Sequence, residues 1–140
     1  MKKFMVLMIL PCLMLIACGT SVQPSDPVSV IRAEINSINK AQVDVATNLF
    51  SDDGQFVTGF GQPKGKDRIK NYIFGGLVKL KSHADIIELT ANGFEVSGTI
   101  KLTNVALIDM YKGKQIPLFS VKATVQNGKI QYMEWGTASK

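Results

Sequence analysis

The chain has 140 residues, which is room for one domain, and its net charge of +5 is too small to indicate a nucleic-acid-binding protein. Both of its cysteines, Cys12 and Cys18, lie near the N-terminus, so the rest of the chain has neither a disulfide nor a thiolate metal ligand. The remaining composition is that of a small globular domain, preceded by an apolar N-terminus.

The N-terminus has the parts of an export signal. Two lysines precede an apolar run over 4–15, which has the length of a signal-peptide core and is too short to span a bilayer. The junction Leu15-Ile16-Ala17-Cys18 resembles the lipobox of bacterial lipoproteins, in which the cysteine is acylated and becomes the first mature residue. We predict a signal peptide over 1–17 and a lipid on Cys18. An ordinary secretory leader or an uncleaved anchor is the alternative.

Processing at this junction changes the properties of the chain. The mature protein would have 14 of the 16 basic residues, all 11 acidic residues and no thiol other than the acylated one. The acylated segment 18–27 is small, polar and proline-containing, which indicates a flexible tether. Gly19 resembles the residue that sends Gram-negative lipoproteins to the outer membrane. We therefore expect a location in the cell envelope, facing the periplasm if the host is Gram-negative.

Helical periodicity dominates the first half of the predicted domain, 28–140. Asp26 and Pro27 form a helix start, followed by an apolar stripe. A second short helix is predicted before a turn at 51–54 and a strand at 55–58. A third helix begins at Asp67, and we expect it to end near residue 74, because each of the two following glycines costs about 1 kcal/mol inside a helix.

Everything after residue 82 is predicted to be strand. Alternation over 94–102 indicates a half-buried antiparallel strand, and the run 105–108 is apolar on both faces of a further strand. Asn127-Gly128 is the strongest hairpin signal in the chain. The predicted fold class is α+β, with about three N-terminal helices packed on a curled, mainly antiparallel sheet.

Three motifs in this order resemble the SnoaL-like, nuclear-transport-factor-2-like superfamily. They are Leu49-Phe50-Ser51-Asp52-Asp53, Gly65-Lys66-Asp67-Arg68-Ile69, and the closing segment from Asn127-Gly128-Lys129-Ile130 to Trp135. The resemblance covers 28–136 and implies a cone-shaped fold. In this fold a curled sheet wraps around a long helix and encloses a mostly apolar pocket. Relatives include isomerases, dehydratases, cyclases and epoxide hydrolases as well as non-catalytic binding proteins, so the resemblance leaves the activity open.

Few residues are candidates for catalysis. The resemblance aligns Thr58 with the catalytic aspartate of the ketosteroid-isomerase branch and Glu34 with its oxyanion-stabilising tyrosine. A threonine does not carry a proton as a carboxylate does, and an ionised glutamate would repel an enolate, which argues against that chemistry. The remaining acid–base candidates are His83, the only histidine, with Asp85 at the same strand parity, and Asp109. One histidine without a cluster predicts no metal site, and we expect no cofactor.

Strand parity and position indicate which side chains could line or rim a pocket: Phe56, Thr58, Tyr111, Phe119, Met133 and Trp135. The alternative is that these side chains are simply core. Four basic residues, Lys64, Lys66, Arg68 and Lys70, crowd the start of the third helix. They form either a solvated face or a contact with anionic lipid or glycan.

The sequence therefore favours a lipid-anchored envelope protein whose domain binds a small apolar ligand or an envelope protein without catalysis. The alternative is a SnoaL-like lyase, isomerase or hydrolase acting in the cone through the acid–base candidates. A third hypothesis is an accessory subunit that faces lipid through 64–70. We expect membrane contact through Cys18 and no nucleic-acid partner, and a homodimer remains open.

Overall fold

The computed structural model describes residues 25–137. The predicted signal peptide, Cys18 and the tether up to residue 24 lie outside this range. Nine elements follow one another within it: α1 (Pro27–Asn39), α2 (Val43–Asn48), β1 (Phe50–Val57), α3 (66–79), β2 (His83–Asn92), β3 (Glu95–Thr103), α4 (Val105–Tyr111), β4 (Phe119–Gln126) and β5 (Lys129–Thr137). In this part of the chain, no helix has the length and hydropathy that crossing a membrane requires.

Helix α1 begins where its capping residues predict. The Asp26 side chain accepts a hydrogen bond from the Ser29 backbone N–H at 2.9 Å, and Pro27 occupies the first turn. The apolar stripe of α1 is buried against β2, β3, β4 and β5. The helix therefore fills the concave side of the sheet, as the predicted architecture requires.

Helix α3 is longer than predicted. It consists of an α-turn at Lys66–Arg68, a π-helical segment at Ile69–Phe74 and a last α-helical segment at Gly75–Lys79. The prediction that it ends near residue 74 is wrong. Ile73 is nearly and Phe74 completely buried in the core, and the next turn packs against that core through Leu77. This burial outweighs the conformational cost of the two glycines.

The five strands form one mixed sheet in the order β1-β5-β4-β3-β2. Only β1 is parallel to its neighbour, and the other three pairings are antiparallel. The register shifts once within β1/β5, once within β2/β3 and once within β4/β5, and such irregularities bend strands. The prediction of an α+β fold with a curled, mainly antiparallel sheet is confirmed.

Two other local predictions are wrong. Residues 51–54 are not a turn but part of β1, which is already paired with β5 at Phe50 and Ile130. The run 105–108 is not strand but belongs to α4, because the Asn104 side chain accepts a hydrogen bond from Leu107 N–H at 2.8 Å and starts a helix. An apolar run of four residues fits either element, so the cap decides between them.

An aromatic cluster closes the core beside α3. Phe56 lies at its centre, with ring-centroid distances of 5.8 Å to Phe50, 6.0 Å to Phe74 and 5.3 Å to Trp135. These four side chains are buried, and three of them come from β1 and β5. The cluster ties the parallel strand pair to α3 and leaves Trp135 beside the pocket described next.

Candidate functional site

A pocket of about 310 Å³ lies between α3, α4 and the sheet. The β1–α3 loop and α3 contribute Thr58, Gly59, Phe60, Tyr72, Ile73, Gly76, Leu77 and Leu80. The sheet and α4 contribute Leu102, Asn104, Ala106, Leu107, Met110, Phe119 and Trp135. Among these described lining residues there is no aspartate, glutamate, histidine, lysine, arginine or cysteine. The lining is therefore almost wholly apolar.

The two smallest polar side chains of the lining serve the local fold. The Thr58 hydroxyl accepts a hydrogen bond from Phe60 N–H at 3.1 Å, within a tight turn. The Asn104 amide caps α4 with its oxygen, and its nitrogen donates to the Ser82 hydroxyl at 3.4 Å. Neither group is held ready for proton transfer to a bound molecule.

Trp135 is the polar exception on the inner wall. Its ring is 5 % exposed and packs edge-on against Phe56, and its indole N–H is buried with no acceptor among the residues that the structure describes. This N–H is buried within the wall and is not exposed to the pocket, and an unpaired buried donor of this kind is unfavourable. The surface that the pocket offers to a ligand is thus almost wholly apolar.

The mouth of the pocket is apolar as well. Three lining side chains, Phe60, Tyr72 and Met110, are 96 %, 75 % and 70 % exposed. Val105 and Ile108 on the outer side of α4 are also more than half exposed. Large apolar side chains that are exposed singly are common, but a group of them at one opening is typical of a binding surface.

The structure divides the six residues that the sequence indicated for the pocket. Three of them line it: Thr58, Phe119 and Trp135. Phe56 and Met133 are fully buried in the core, and Tyr111 is half-buried at the end of α4, outside the lining. The lining residues from α3 and α4 were missed, because α3 was predicted too short and α4 was predicted as strand.

The structure does not bring the three acid–base candidates to the pocket. His83 Nε2 lies 3.1 Å from Asp85 Oδ1, so the pair that strand parity indicated does form. Both side chains are more than half exposed, on the face of β2 opposite the buried Ala84. Asp109 is exposed on α4, 3.7 Å from Lys112 Nζ. None of the three is part of the lining.

Glu34 corrects an assumption made from the sequence. Its side chain on α1 is fully buried outside the pocket lining, and neither carboxyl oxygen has a partner within residues 25–137. Burial raises the pKa of Glu34 well above its ordinary value, because a charge is poorly solvated there. Glu34 therefore lies outside the pocket, and its burial disfavours the ionised form that the argument from the sequence assumed.

The basic cluster lies at a second, shallow groove of about 510 Å³ at the start of α3, lined by Asp52, Lys64, Gly65, Lys66, Asp67 and Arg68. Lys66 Nζ is 2.9 Å from Asp52 Oδ1, and this hydrogen bond lowers the pKa of Asp52. Lys70 Nζ is 2.6 Å from Asp44 Oδ1, which raises the pKa of Lys70. Across the described range, no cluster of His, Cys, Asp or Glu has an arrangement suited to a metal ion.

No protein-family model and no curated protein matches the chain. Solved structures do match it. An NTF2-like protein of unknown function from Cytophaga hutchinsonii is 13 % identical, with a TM-score of 0.65 over 82 % of this chain and 92 % of that one. A putative polyketide cyclase from Sinorhizobium meliloti is 14 % identical, with a TM-score of 0.66 over 76 % and 93 %.

A further similar structure is an LEH-like epoxide hydrolase from M. tuberculosis. It is 16 % identical, with a TM-score of 0.64 over 80 % of this chain and 82 % of that one. At these identities, the similarity concerns the fold and not the chemistry. The described domain has the nuclear-transport-factor-2-like fold, which the three sequence motifs had indicated.

Proposed function

We propose, from a nuclear-transport-factor-2-like fold with an apolar pocket, that this chain is a lipid-anchored protein of the cell envelope whose domain binds a small apolar ligand without converting it. The observation that carries the proposal is the composition of the pocket lining. At about 310 Å³ it is within the size range of small-molecule sites. Its walls offer hydrophobic contact, which suits an apolar molecule.

The competing hypothesis is a lyase, isomerase or hydrolase acting in the same pocket. Such chemistry requires a group that exchanges protons near neutral pH at the reacting atoms. The only ordinary titratable side chain in the described lining is Tyr72, which is mostly exposed at the mouth. The similar structures include proteins named as a putative polyketide cyclase and as an LEH-like epoxide hydrolase, but those names describe the relatives. Binding without conversion is therefore the better-supported function.

Filling the pocket is expected to abolish binding. A Cβ built at Gly76 meets no atom within 4 Å, so Gly76→Leu places a side chain in open space in the pocket wall. We expect the affinity for N-phenyl-1-naphthylamine, a fluorescent apolar probe, to fall at least about tenfold, which is about 1.4 kcal/mol. The measurement is energy transfer to the probe from Trp135, the only tryptophan in the chain.

Gly75→Ala is the matched control. This substitution raises the helix propensity at residue 75 by about 1 kcal/mol, as Gly76→Leu does at residue 76 to a similar extent, but Gly75 is not in the pocket lining. Both variants should therefore unfold at or above the temperature of the parent, and only Gly76→Leu should lose the probe. Equal probe binding by the parent and Gly76→Leu would show that the probe does not occupy this pocket.

The lipid anchor is supported by the sequence around Cys18. We expect Cys18→Ser to remove the acyl mass from the N-terminal peptide and to deplete the processed protein from the membrane fraction. Cys12→Ser is the control, because that cysteine lies within the predicted signal peptide, and it should leave both properties unchanged. Mass spectrometry of the membrane-bound protein measures the modification. A Cys18→Ser protein that remains acylated would contradict the proposal.

A further inference from the structure

Charge is unevenly distributed between the mouth of the pocket and the rest of the domain. The exposed rim belongs to two segments, 58–81 and 104–118, which we call the mouth segments. They carry eight basic and two acidic side chains, a net charge of +6. The remainder of the described domain carries five basic and nine acidic side chains, a net charge of −3 when the buried Glu34 holds its proton. Basic side chains are therefore concentrated in the mouth segments, where Asp52 and Asp44 of the remainder lie against two of the lysines.

Helix α4 is apolar on both of its sides. Leu107 packs against the core, whereas Val105, Ile108 and Met110 are exposed. A helix that is fully solvated on its outer side normally carries polar residues there, and the only charged residue within α4 is Asp109. Two lysines, Lys112 and Lys114, follow directly after the helix. Exposed aliphatic residues with adjacent lysines are the pattern of a helix that lies in the surface of a membrane.

We infer that the mouth segments dock onto an anionic lipid surface, with Phe60 and the exposed side chains of α4 entering the hydrocarbon boundary. The inference rests on the anchored binding protein proposed above. If Cys18 is acylated, only the seven peptide steps from Cys18 to Ser25 separate the bilayer from the described domain, and an extended chain of that length reaches about 25 Å. The domain is then always close enough to touch the lipid headgroups.

The charge distribution sets the orientation of the docked domain. Anionic headgroups attract the basic mouth segments and repel the acidic remainder, so the pocket opens toward the bilayer. Three lysines of the mouth segments pair with aspartates, Lys66 with Asp52, Lys70 with Asp44 and Lys112 with Asp109. Each pair has an exposed aspartate and is weak, and the pairs do not remove the net positive charge of the mouth segments. A lipid surface also explains why lysines accompany the exposed aliphatic side chains of the mouth segments. Lysine is depleted at the core of protein–protein interfaces.

The test uses the acylated full chain in vesicles. The proposed mature protein has no free thiol, so Ile108→Cys and Thr90→Cys each accept one nitrobenzoxadiazole label. Both positions are exposed, and Thr90 lies outside the mouth segments. In vesicles of phosphatidylethanolamine and phosphatidylglycerol we expect the label at residue 108 to shift to the blue and the label at residue 90 to remain unchanged. Identical spectra for the two labels would overturn the inference.

Two further measurements separate the parts of the inference. In vesicles of phosphatidylcholine alone, or after Lys112→Glu combined with Lys114→Glu, the blue shift at residue 108 should be largely lost. A shift that is independent of both changes would overturn the assignment to an anionic surface. The naphthylamine probe is measured without vesicles, on the parent carrying Cys18→Ser, because the apolar dye itself partitions into lipid. Probe binding there, without a blue shift at residue 108 in vesicles, rejects docking and leaves the proposed function intact, whereas an absence of probe binding rejects the proposed function itself.

Discussion

Replacing Gly98 with alanine is expected to destabilise the domain by about 3 kcal/mol, at the upper end of the usual cost of overpacking. Gly98 lies on β3 opposite Leu89 of β2. A Cβ at Gly98 would lie well inside 3.0 Å of the Glu88 carbonyl oxygen and 2.8 Å from Leu89 Cδ2. The leucine side chain can rotate, but the carbonyl belongs to the strand backbone, which moves only if the β2–β3 pairing is disturbed.

Urea unfolding of the parent and Gly98→Ala measures this effect. Gly59→Ala is the matched control, because a Cβ there meets no atom within 4 Å, and its free energy of unfolding should stay within about 0.5 kcal/mol of the parent. An equally stable Gly98→Ala variant would show that β2 does not approach β3 this closely. The β2–β3 register shifts between Ile86 and Glu88, directly beside this close approach. Because Gly98 has no side chain, it leaves room for the irregular backbone of β2 at that point.

The parts of the fold that the sequence predicted well are those decided by local chemistry. The Asp26-Pro27 start of α1 depends on one side-chain cap and one restricted φ, and both are present. Asn127 and Gly128 connect β4 and β5 with φ values of 52° and 69°, the left-handed conformations that a two-residue hairpin turn requires. Such signals act within a few residues, so they can be read without knowledge of the rest of the chain.

The errors occur where distant packing competes with local preference. Glycine disfavours a helix at 75 and 76, but Phe74 on one side and Leu77 on the other pack into or against the core and hold the helix together. The run 105–108 has no decisive period of its own, and its conformation follows from the Asn104 cap. Much of the pocket lining comes from these two elements, which is why the site was only partly predicted.

Parity predicts which residues share a face of a strand, but not which face is covered. His83 and Asp85 do share a face and do interact, yet α1 packs on the opposite face of β2, where Ala84 is buried. Thr58 illustrates a different limit. Strand parity indicated Thr58 as a lining side chain, and it does lie in the lining, whereas its hydrogen bonds to the 58–61 turn appear only in the structure.

Removing the carboxyl group of Glu34 is expected to stabilise the domain, by more at neutral pH than at pH 4. Burial raises the folded-state pKa of Glu34 above its ordinary value of 4.5, which the unfolded chain retains. Below pH 4.5 both states hold the proton, so the side chain contributes no pH dependence. As pH rises further, the unfolded state loses the proton while the folded state keeps it, and stability falls until the folded-state pKa is reached. The slope in that window approaches about 1.4 kcal/mol per pH unit.

Two substitutions divide this effect into its parts. Glu34→Gln keeps the shape and a polar group but cannot ionise, so its stability should be flat across the window in which the parent loses stability. Glu34→Leu also removes the unpartnered oxygens, which adds about 1 to 3 kcal/mol at every pH. Glu88→Gln, at an exposed glutamate on β2, is the control and should change stability by less than about 0.5 kcal/mol.

Urea unfolding of the four proteins between pH 4 and pH 8 gives the comparison. If the parent and Glu34→Gln lose stability in parallel as pH rises, Glu34 is ionised in the folded protein and must have a partner that compensates its charge. If the parent and Glu88→Gln lose stability as pH rises and Glu34→Gln does not, the domain keeps a carboxylic acid in its core at a cost in stability that the fold does not require. Glu34 would then be the first residue to test for an effect on probe binding. Glu34→Gln suits that test, because Glu34 is not part of the pocket lining.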